Sequence, residues 1–330
     1  MKILFIGGTG NISTSASKRA ISQGVDLYLL TRGTTGVKIP GAKIIEGDIY
    51  NEKIQDKLKD HTWDVVVNWV AFTPNHIEND IKLFLGKTKQ YIFISSASIY
   101  QKPTTRHVTT ESTPLYNPFW QYSRDKIDCE NLLMKTYREQ DFPVTIVRPS
   151  HTYDNVIPVS IGGWTEYTIV DRMKKGKKAI IHGDGTSLWT LTHAEDFAKG
   201  FNGLLGHSQA IGHAIQITSD EVLTWNQIYE TLADAAGVEL NAVHISSEFI
   251  GKVEPELKDG LLGDKSHCAI FDNSKIKSLV PEFKATIPFR EGIKRTLDWF
   301  EAGSERMVVN SETNKKMDKI IEANESKLNL

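Results

Sequence analysis

The chain has 330 residues, 40% of them hydrophobic and 24% charged, with a formal net charge of −2 and a sequence pI of about 6.6. That balance excludes a disordered polyelectrolyte, a membrane-spanning chain with ~18 or more consecutive apolar residues, and a protein whose whole surface is a basic footprint for nucleic acid. Two cysteines, Cys129 and Cys268, are too few for a disulfide framework or a Cys-rich zinc site, and no histidine pair has metal-ligand spacing, so no metal is expected and the setting reads as a reducing cytoplasm.

Residues 2–6 form a short apolar run, too short for a secretory signal core, and read as a strand. It leads directly into Gly7-Gly8-Thr9-Gly10-Asn11-Ile12-Ser13, and residues 14–23 read as a helix. A strand, a glycine turn and a helix in this order form the context of a dinucleotide-binding turn, in which backbone approaches a pyrophosphate and the helix N-terminus supplies N–H donors. Gly7, Thr9, Gly10, Asn11 and Ile12 are therefore candidate cofactor contacts. The spacing is Gly-x-x-Gly-x-x-Ser, with Ser13 small enough to stand in for a third glycine.

A second strand over 26–30 ends in Thr31-Arg32-Gly33, with no acid to bond the ribose hydroxyls of NAD. Arg32 suits a 2′-phosphate, which favours NADP over NAD; stacking on adenine and a solvated loop residue are the other readings. A third strand over 42–45 places Asp48 and Ile49 near the adenine. A short helix over 54–58 follows. Strands over 64–70 and 90–95 are apolar throughout, as strands buried on both faces are. The first brings Val70, Ala71 and Phe72 to its end; the second ends in Ser95-Ser96-Ala97-Ser98.

Residues 122–139 read as a long helix, with Tyr122 and Lys126 one turn apart on one face. A lysine ammonium beside a phenol stabilises its ionised form, so the pair is a candidate proton-transfer device with the Tyr122 pKa lowered by Lys126. A strand over 144–148 leads to Pro149 and Ser150. Strands alternating with helices imply parallel βαβ units and a doubly wound sheet.

Beyond Pro149 a long loop carries a helix over 167–174, and the basic run 172–178 reads as a solvated helix end. Helices are expected over 194–205 and 225–237, short strands over 243–246 and 269–271, and an amphipathic helix over 290–301. The polar tail from 311 has Met317, Ile320, Ile321 and Leu328 at helical spacing, which suits a docked or partly mobile terminal helix. The division is a dinucleotide-binding domain over 1–150, with elements of 182–218 returning to it, and a smaller α/β substrate lobe over most of 151–330. Gly86-Lys87-Thr88 lacks the upstream glycine of a phosphate-binding loop, and no Gly-x-Ser-x-Gly elbow is present.

The glycine turn, the Ser95–Ser98 strand end, Tyr122-x-x-x-Lys126, Arg148-Pro149, Gly183-Asp184-Gly185 and Phe271-Asp272-Asn273 in this order resemble the extended short-chain dehydrogenase/reductase superfamily, in its NAD(P)-dependent epimerase/dehydratase group. The resemblance covers about residues 1–300. It implies a Rossmann-type fold, Tyr122 as acid/base, Lys126 on the nicotinamide ribose, and Ser96 on the reacting oxygen, with Ser95 or Ser98 as other holders of that role. It also implies Phe72, Ala97 and Trp189 against the substrate and a homodimer packed through the helices before Ser96 and at Tyr122. Ala97 and Ser98 stand where the group's dehydratases carry a carboxylate, which leaves epimerisation or simple redox chemistry. Trp189 stands where nucleotide-sugar epimerases carry a diphosphate-binding arginine, with Arg172 or the following lysines as substitutes. The reaction expected is epimerisation of a sugar or nucleotide sugar. The alternatives are an NADPH-dependent ketone or sugar reductase or dehydrogenase and, because the variant lobe also looks like the chloroplast stem-loop-binding relatives, an RNA-associated or regulatory dinucleotide-binding protein; the intact Tyr122/Lys126 pair favours an enzyme.

Overall fold

The computed structural model describes residues 1–51 and 53–328. The first half alternates strands and helices: β1 (Lys2–Ile6), α1 (Ser13–Ser22), β2 (Asp26–Thr31), β3 (Lys43–Glu46), α2 (Ile54–Leu58), β4 (Val65–Asn68), α3 (Pro74–Phe84), β5 (Tyr91–Ile94), α4 (Gln121–Gln140) and β6 (Val144–Pro149). Then come β7 (His151–Tyr153), α5 (Thr168–Lys174), β8 (Ala179–His182), β9 (Leu188–Trp189), β10 (Leu191–His193), α6 (Ala194–Gly203) and β11 (Ala214–Ile217). The chain ends through β12 (Leu223–Thr224), α7 (Trp225–Ala236), β13 (Ala242–Ile245), α8 (Ser247–Val253), α9 (Pro255–Gly260), α10 (Ser274–Leu279), α11 (Phe289–Glu301) and α12 (Ser311–Leu328).

Seven strands form one parallel sheet in the order β3-β2-β1-β4-β5-β6-β11. The order reverses between β1 and β4, and in open sheets of this kind ligands bind at the carboxyl ends of the strands beside that point. Val65, Val66, Val67, Ile92 and Phe93 are fully buried because α1 and α6 cover one face of the sheet and α3 and α4 the other. At about 1.5–3 kcal/mol for each buried aliphatic side chain, these strands fix the position of their own ends. The doubly wound parallel sheet expected from the strand–helix rhythm is thus what forms.

The second half has its own core, where α7, α11 and α12 pack around the parallel pair β8–β13. β9 pairs with β12 and β7 with β10. Thr224 and Gln227 form a reciprocal capping box at the start of α7, satisfying donors that a helix start otherwise leaves free.

Two expectations change, and one open alternative is decided. Residues 269–271 make only an isolated bridge, Phe271 to Thr109, and one backbone bond from the Ala269 N–H to the Leu188 carbonyl of β9, too few for a ladder. The tail is docked: Met317, Ile320 and Ile321 enter the second core, while the side chain of Leu328 lies outside the described residues. The basic run is not a free helix end. Arg172 pairs with Asp318 at 2.6 Å, Lys178 pairs with Glu325, and Lys174 pairs with Glu301 at 2.6 Å. These charges clamp α12 and α11 to α5, which removes Arg172 and its neighbours as substitutes for a substrate arginine.

Candidate active site

The carboxyl ends of β1, β4 and β5 open onto a cavity of about 420 Å³ between the sheet and the second core. One wall is the glycine turn. Gly7 has φ +95° and lies so close to β4 that a Cβ there would meet Trp69 and Val70 at 3.2 Å. A Cβ on Gly10 would meet only the Ser13 hydroxyl, at 3.5 Å, so the turn leaves its outer face open. Ser13 is buried and its Oγ accepts the Gly10 N–H at 2.9 Å, filling the third-glycine position with a local hydrogen bond. α1 begins without a side-chain cap, although the Thr14 N–H already donates to the Gly10 carbonyl at 3.0 Å.

The opposite wall is the start of α4. Lys126 is 2% exposed, and its Nζ donates to the carbonyls of Ala71 at 2.7 Å and Ile94 at 2.8 Å. The rings of Phe72 and Phe93 lie 4.7 Å from the ammonium. Burial lowers its pKa from 10.5 to about 8.

Tyr122 projects from the preceding turn, 4.8 Å from the Trp120 ring. Here the expectation reverses. Burial pushes the phenol above its ordinary range, and the Ser96 hydroxyl opposes that only in part. Lys126 does not lower it, because the ammonium is turned into the strand-end carbonyls.

Ser96 caps a short turn, accepting the Ser98 N–H at 3.2 Å and lying 2.9 Å from the Ser98 hydroxyl. The Ser123 hydroxyl on α4 donates to Ser98 at 2.8 Å. That relay can pass Ser98's proton to Ser96 and leave the Ser96 O–H directed at a ligand. Ser98 is thus a support for Ser96, while the Ser95 hydroxyl is buried without a partner among the described residues.

Two buried groups hold this geometry. Asn117 donates to the carbonyls of Ser98 (2.8 Å) and Gly263 (2.7 Å) and accepts the N–H groups of Phe119 and Trp120, so it ties the serine turn, the α4 entry and the second half together. Arg148 binds Glu130 of α4 at 2.5 Å and the Tyr100 hydroxyl at 3.2 Å, fixing α4 against β6. Neither role has a local signal in the sequence.

Of the expected site residues, Gly10, Asn11, Ile12, Phe72, Ser96, Ala97, Tyr122, Lys126, Pro149, Ser150 and Trp189 line this one cavity. Gly7, Thr9, Val70 and Ala71 lie behind it: Ala71 holds Lys126, the Thr9 hydroxyl accepts from Thr35, and the Val70 carbonyl accepts from Tyr50. Arg32 and Asp48 stand apart at the ends of β2 and β3, 3.9 Å from each other. Ile49 turns its side chain into the core and offers its carbonyl to Asn79.

The far end of the cavity contains residues that sequence reasoning passed over. Trp189 is both core and cavity wall, and its Nε1–H donates to His151 Nδ1 at 2.9 Å. An indole can only donate, so the proton of a neutral His151 sits on Nε2. That nitrogen is buried with no partner among the described residues. The His151 ring stacks on Trp164 at 4.5 Å, and burial holds it neutral, with its pKa well below the usual histidine range. His193 is structural, its Nδ1 capping α6 by accepting the Glu195 N–H. Lys102, Asp264 and Lys265 complete the far end.

The residues present fit a dinucleotide. The open glycine turn precedes an uncapped helix, and Asn11 Oδ1, Ser95 Oγ and Trp69 Nε1 are buried polar atoms without partners among the described residues, on residues that line the same cavity.

Comparison with known proteins gives the family and the fold. The family described as the NAD dependent epimerase/dehydratase family matches residues 3–218. A 2′-dehydrokanamycin reductase of Streptomyces kanamyceticus is 22% identical over 298 residues, 86% of this chain and 80% of that protein. A chloroplast stem-loop binding protein of 41 kDa from Arabidopsis thaliana is 25% identical over 72% of this chain, which spans 63% of that relative's length. The fold is similar to that of a UDP-glucuronic acid 4-epimerase from Bacillus cereus solved with NAD, with a TM-score of 0.70, 18% identity, and coverage of 93% of this chain and 100% of that one.

Proposed function

The chain belongs to the NAD dependent epimerase/dehydratase family, a family of enzymes of the extended short-chain dehydrogenase/reductase type, and from that premise we propose that it interconverts a secondary alcohol and a ketone on a carbohydrate-type substrate, as an epimerase. The observation that carries the reading is the placement of Ser96, Tyr122 and Lys126 on one wall of the cavity whose other wall is the Gly10–Ile12 turn. When bound, a nicotinamide supplies the acceptor and donor of hydride at the reacting carbon.

The protein's own part is proton transfer and positioning. Tyr122 gives its phenol proton to the ketone oxygen as it becomes an alcohol, and in its phenolate form takes the hydroxyl proton back in the reverse step. Ser96 donates to the same oxygen, and the relay from Ser123 through Ser98 leaves its proton available for that bond. Lys126, held on the Ala71 and Ile94 carbonyls, reaches the ribose from the strand ends. Ala97 and Ser98 offer no second carboxylate for eliminating water. His151 offers a neutral Nε2–H to a substrate oxygen, and Trp189 and Trp164 hold its ring.

Arg32 supports NADP as the preferred dinucleotide: its side chain is 68% exposed and only loosely held by Asp48, so its guanidinium is available to a 2′-phosphate. Cytoplasmic residence and a homodimer packed through α3 and α4 belong to the same reading. The two cysteines are free, and among the described residues no helix is long and apolar enough to cross a membrane.

A reductase is the second reading. The raised Tyr122 phenol is protonated at neutral pH, which suits giving a proton to a carbonyl, and a relative is a 2′-dehydrokanamycin reductase.

Mass spectrometry of the nicotinamide released by denaturing purified protein, followed by a sugar panel, tests both. An epimerase carries its dinucleotide and shows no net redox change; a reductase consumes added NADPH. Tyr122→Phe is expected to keep the dinucleotide and lose turnover by about 100-fold or more. Unchanged turnover in that variant would refute the assignment.

A further inference from the structure

The proton-transfer wall accounts for one end of the cavity and leaves three charged side chains at the other. Lys102 is 4% exposed, lines the cavity, and its Nζ has no hydrogen-bond or ion-pair partner among the described residues. Its backbone is held, the N–H donating to the Tyr116 carbonyl at 2.8 Å. Asp264 attracts it only at longer range, since that carboxylate lies 3.7 Å from Lys265. Two ammonium groups face one carboxylate, leaving one positive charge uncompensated. Burying such a charge without a partner is costly, and burial accordingly lowers the Lys102 pKa.

The arrangement around these charges is built. Asp264 and Lys265 sit on a π-helical turn, Leu261–Lys265, of a kind frequently found at functional sites. The Lys265 carbonyl accepts from His182 and from Trp225, at 2.9 and 3.1 Å, and Asn117 holds the Gly263 carbonyl. A Cβ on Gly263 would meet Trp120 at 2.8 Å, so the turn lies flush against the α4 entry. The Trp120 ring is 5.7 Å from Lys265 Nζ and 4.8 Å from the Tyr122 ring. The charged end and the proton-transfer end are therefore both within reach of one sugar unit, whose apolar face the Trp120, Trp164 and Trp189 rings can cover. The cofactor's phosphates have their own site at the start of α1, on the opposite wall.

We propose that Lys102, assisted by Lys265, binds an oxyanion on the substrate, a sugar carboxylate or a sugar phosphate, so that the reacting molecule is an anionic carbohydrate. A lysine ammonium holds such a group as a point charge and tolerates either geometry. The inference rests on the hydride-transfer reading for the word substrate, but its test needs no turnover.

Isothermal titration with NADH at saturation, so that the α1 terminus is filled, would compare D-glucuronate, D-galacturonate, glucose 6-phosphate and galactose 1-phosphate with neutral glucose and galactose. At least one anionic sugar is expected to bind ten or more times more tightly than its neutral parent. Which class does so separates carboxylate from phosphate. Lys102→Met is expected to remove that tenfold margin while leaving the neutral sugars and NADH unchanged, and Lys102→Arg to restore most of it. Should Lys102→Met not fold, added inorganic phosphate must still weaken the anionic sugar, but not the neutral one, in the wild-type protein. Equal binding of charged and neutral sugars, or an unchanged margin in a folded Lys102→Met variant, overturns the proposal. Failure of hydride transfer would leave these binding differences intact, so the two readings fail separately.

Discussion

Replacing Lys126 by methionine separates what the fold needs from what the reaction needs. Lowering a lysine from 10.5 to about 8 corresponds to about 3 kcal/mol of cost in keeping the ammonium charged inside the fold at neutral pH. Against this, its bonds to the Ala71 and Ile94 carbonyls contribute about 1 kcal/mol each. Methionine fills the same space without the charge, so the variant should be about 1 kcal/mol more stable than wild type at pH 7. The sign of the pH dependence follows from proton counting. Between about 8 and 10.5 the unfolded lysine is protonated and the folded one is not. Wild-type stability therefore rises through that window by about 3 kcal/mol relative to the variant, and the order of stabilities reverses in its lower part, at about pH 9. Denaturant unfolding of both proteins from pH 7 to 10.5 measures the difference, in which other titrating groups cancel. Turnover of the variant should fall by about 100-fold or more at every pH. A difference flat with pH would refute the claim that Lys126 is held charged against its burial. Turnover surviving in the variant would refute its place beside the reacting groups.

Two further predictions concern what holds the site. Glu130→Gln leaves the buried Arg148 guanidinium without its carboxylate and should cost about 3 kcal/mol in denaturant unfolding, whereas Arg148→Met with Glu130→Leu should recover most of that loss. Trp189→Phe removes the donor that fixes the His151 tautomer; nitrogen-15 spectra should show one protonated and one bare ring nitrogen in wild type, with no titration between pH 5 and 8, and averaged signals in the variant, together with reduced turnover.

The parallel sheet was legible because strands buried on both faces must be apolar along their length, and 65–67 and 91–94 are. The glycine turn was legible because only glycine tolerates the backbone of Gly7 and Gly8, with φ near +95° and +101°. Tyr122 and Lys126 share a face by helix geometry alone. These are local constraints, and a linear sequence contains them.

The remaining features depend on approach between distant segments. The basic run 172–178 reads as solvated until α12 brings Asp318 and Glu325 to it. The role of Asn117 exists only where three segments meet, and the His151 tautomer is set by a tryptophan 38 residues away. Lys102 gains its meaning from a turn more than 150 residues downstream. The sign of the Tyr122 shift turned on the same kind of fact. Spacing puts a lysine beside the phenol, but burial and the direction in which that lysine spends its hydrogen bonds decide the protonation state. Chain order thus determined the fold type and the shared face of Tyr122 and Lys126, because both follow from neighbours in sequence; desolvation and long-range contacts, which only the folded chain creates, decided the pKa shifts of that pair and the character of the cavity in front of it.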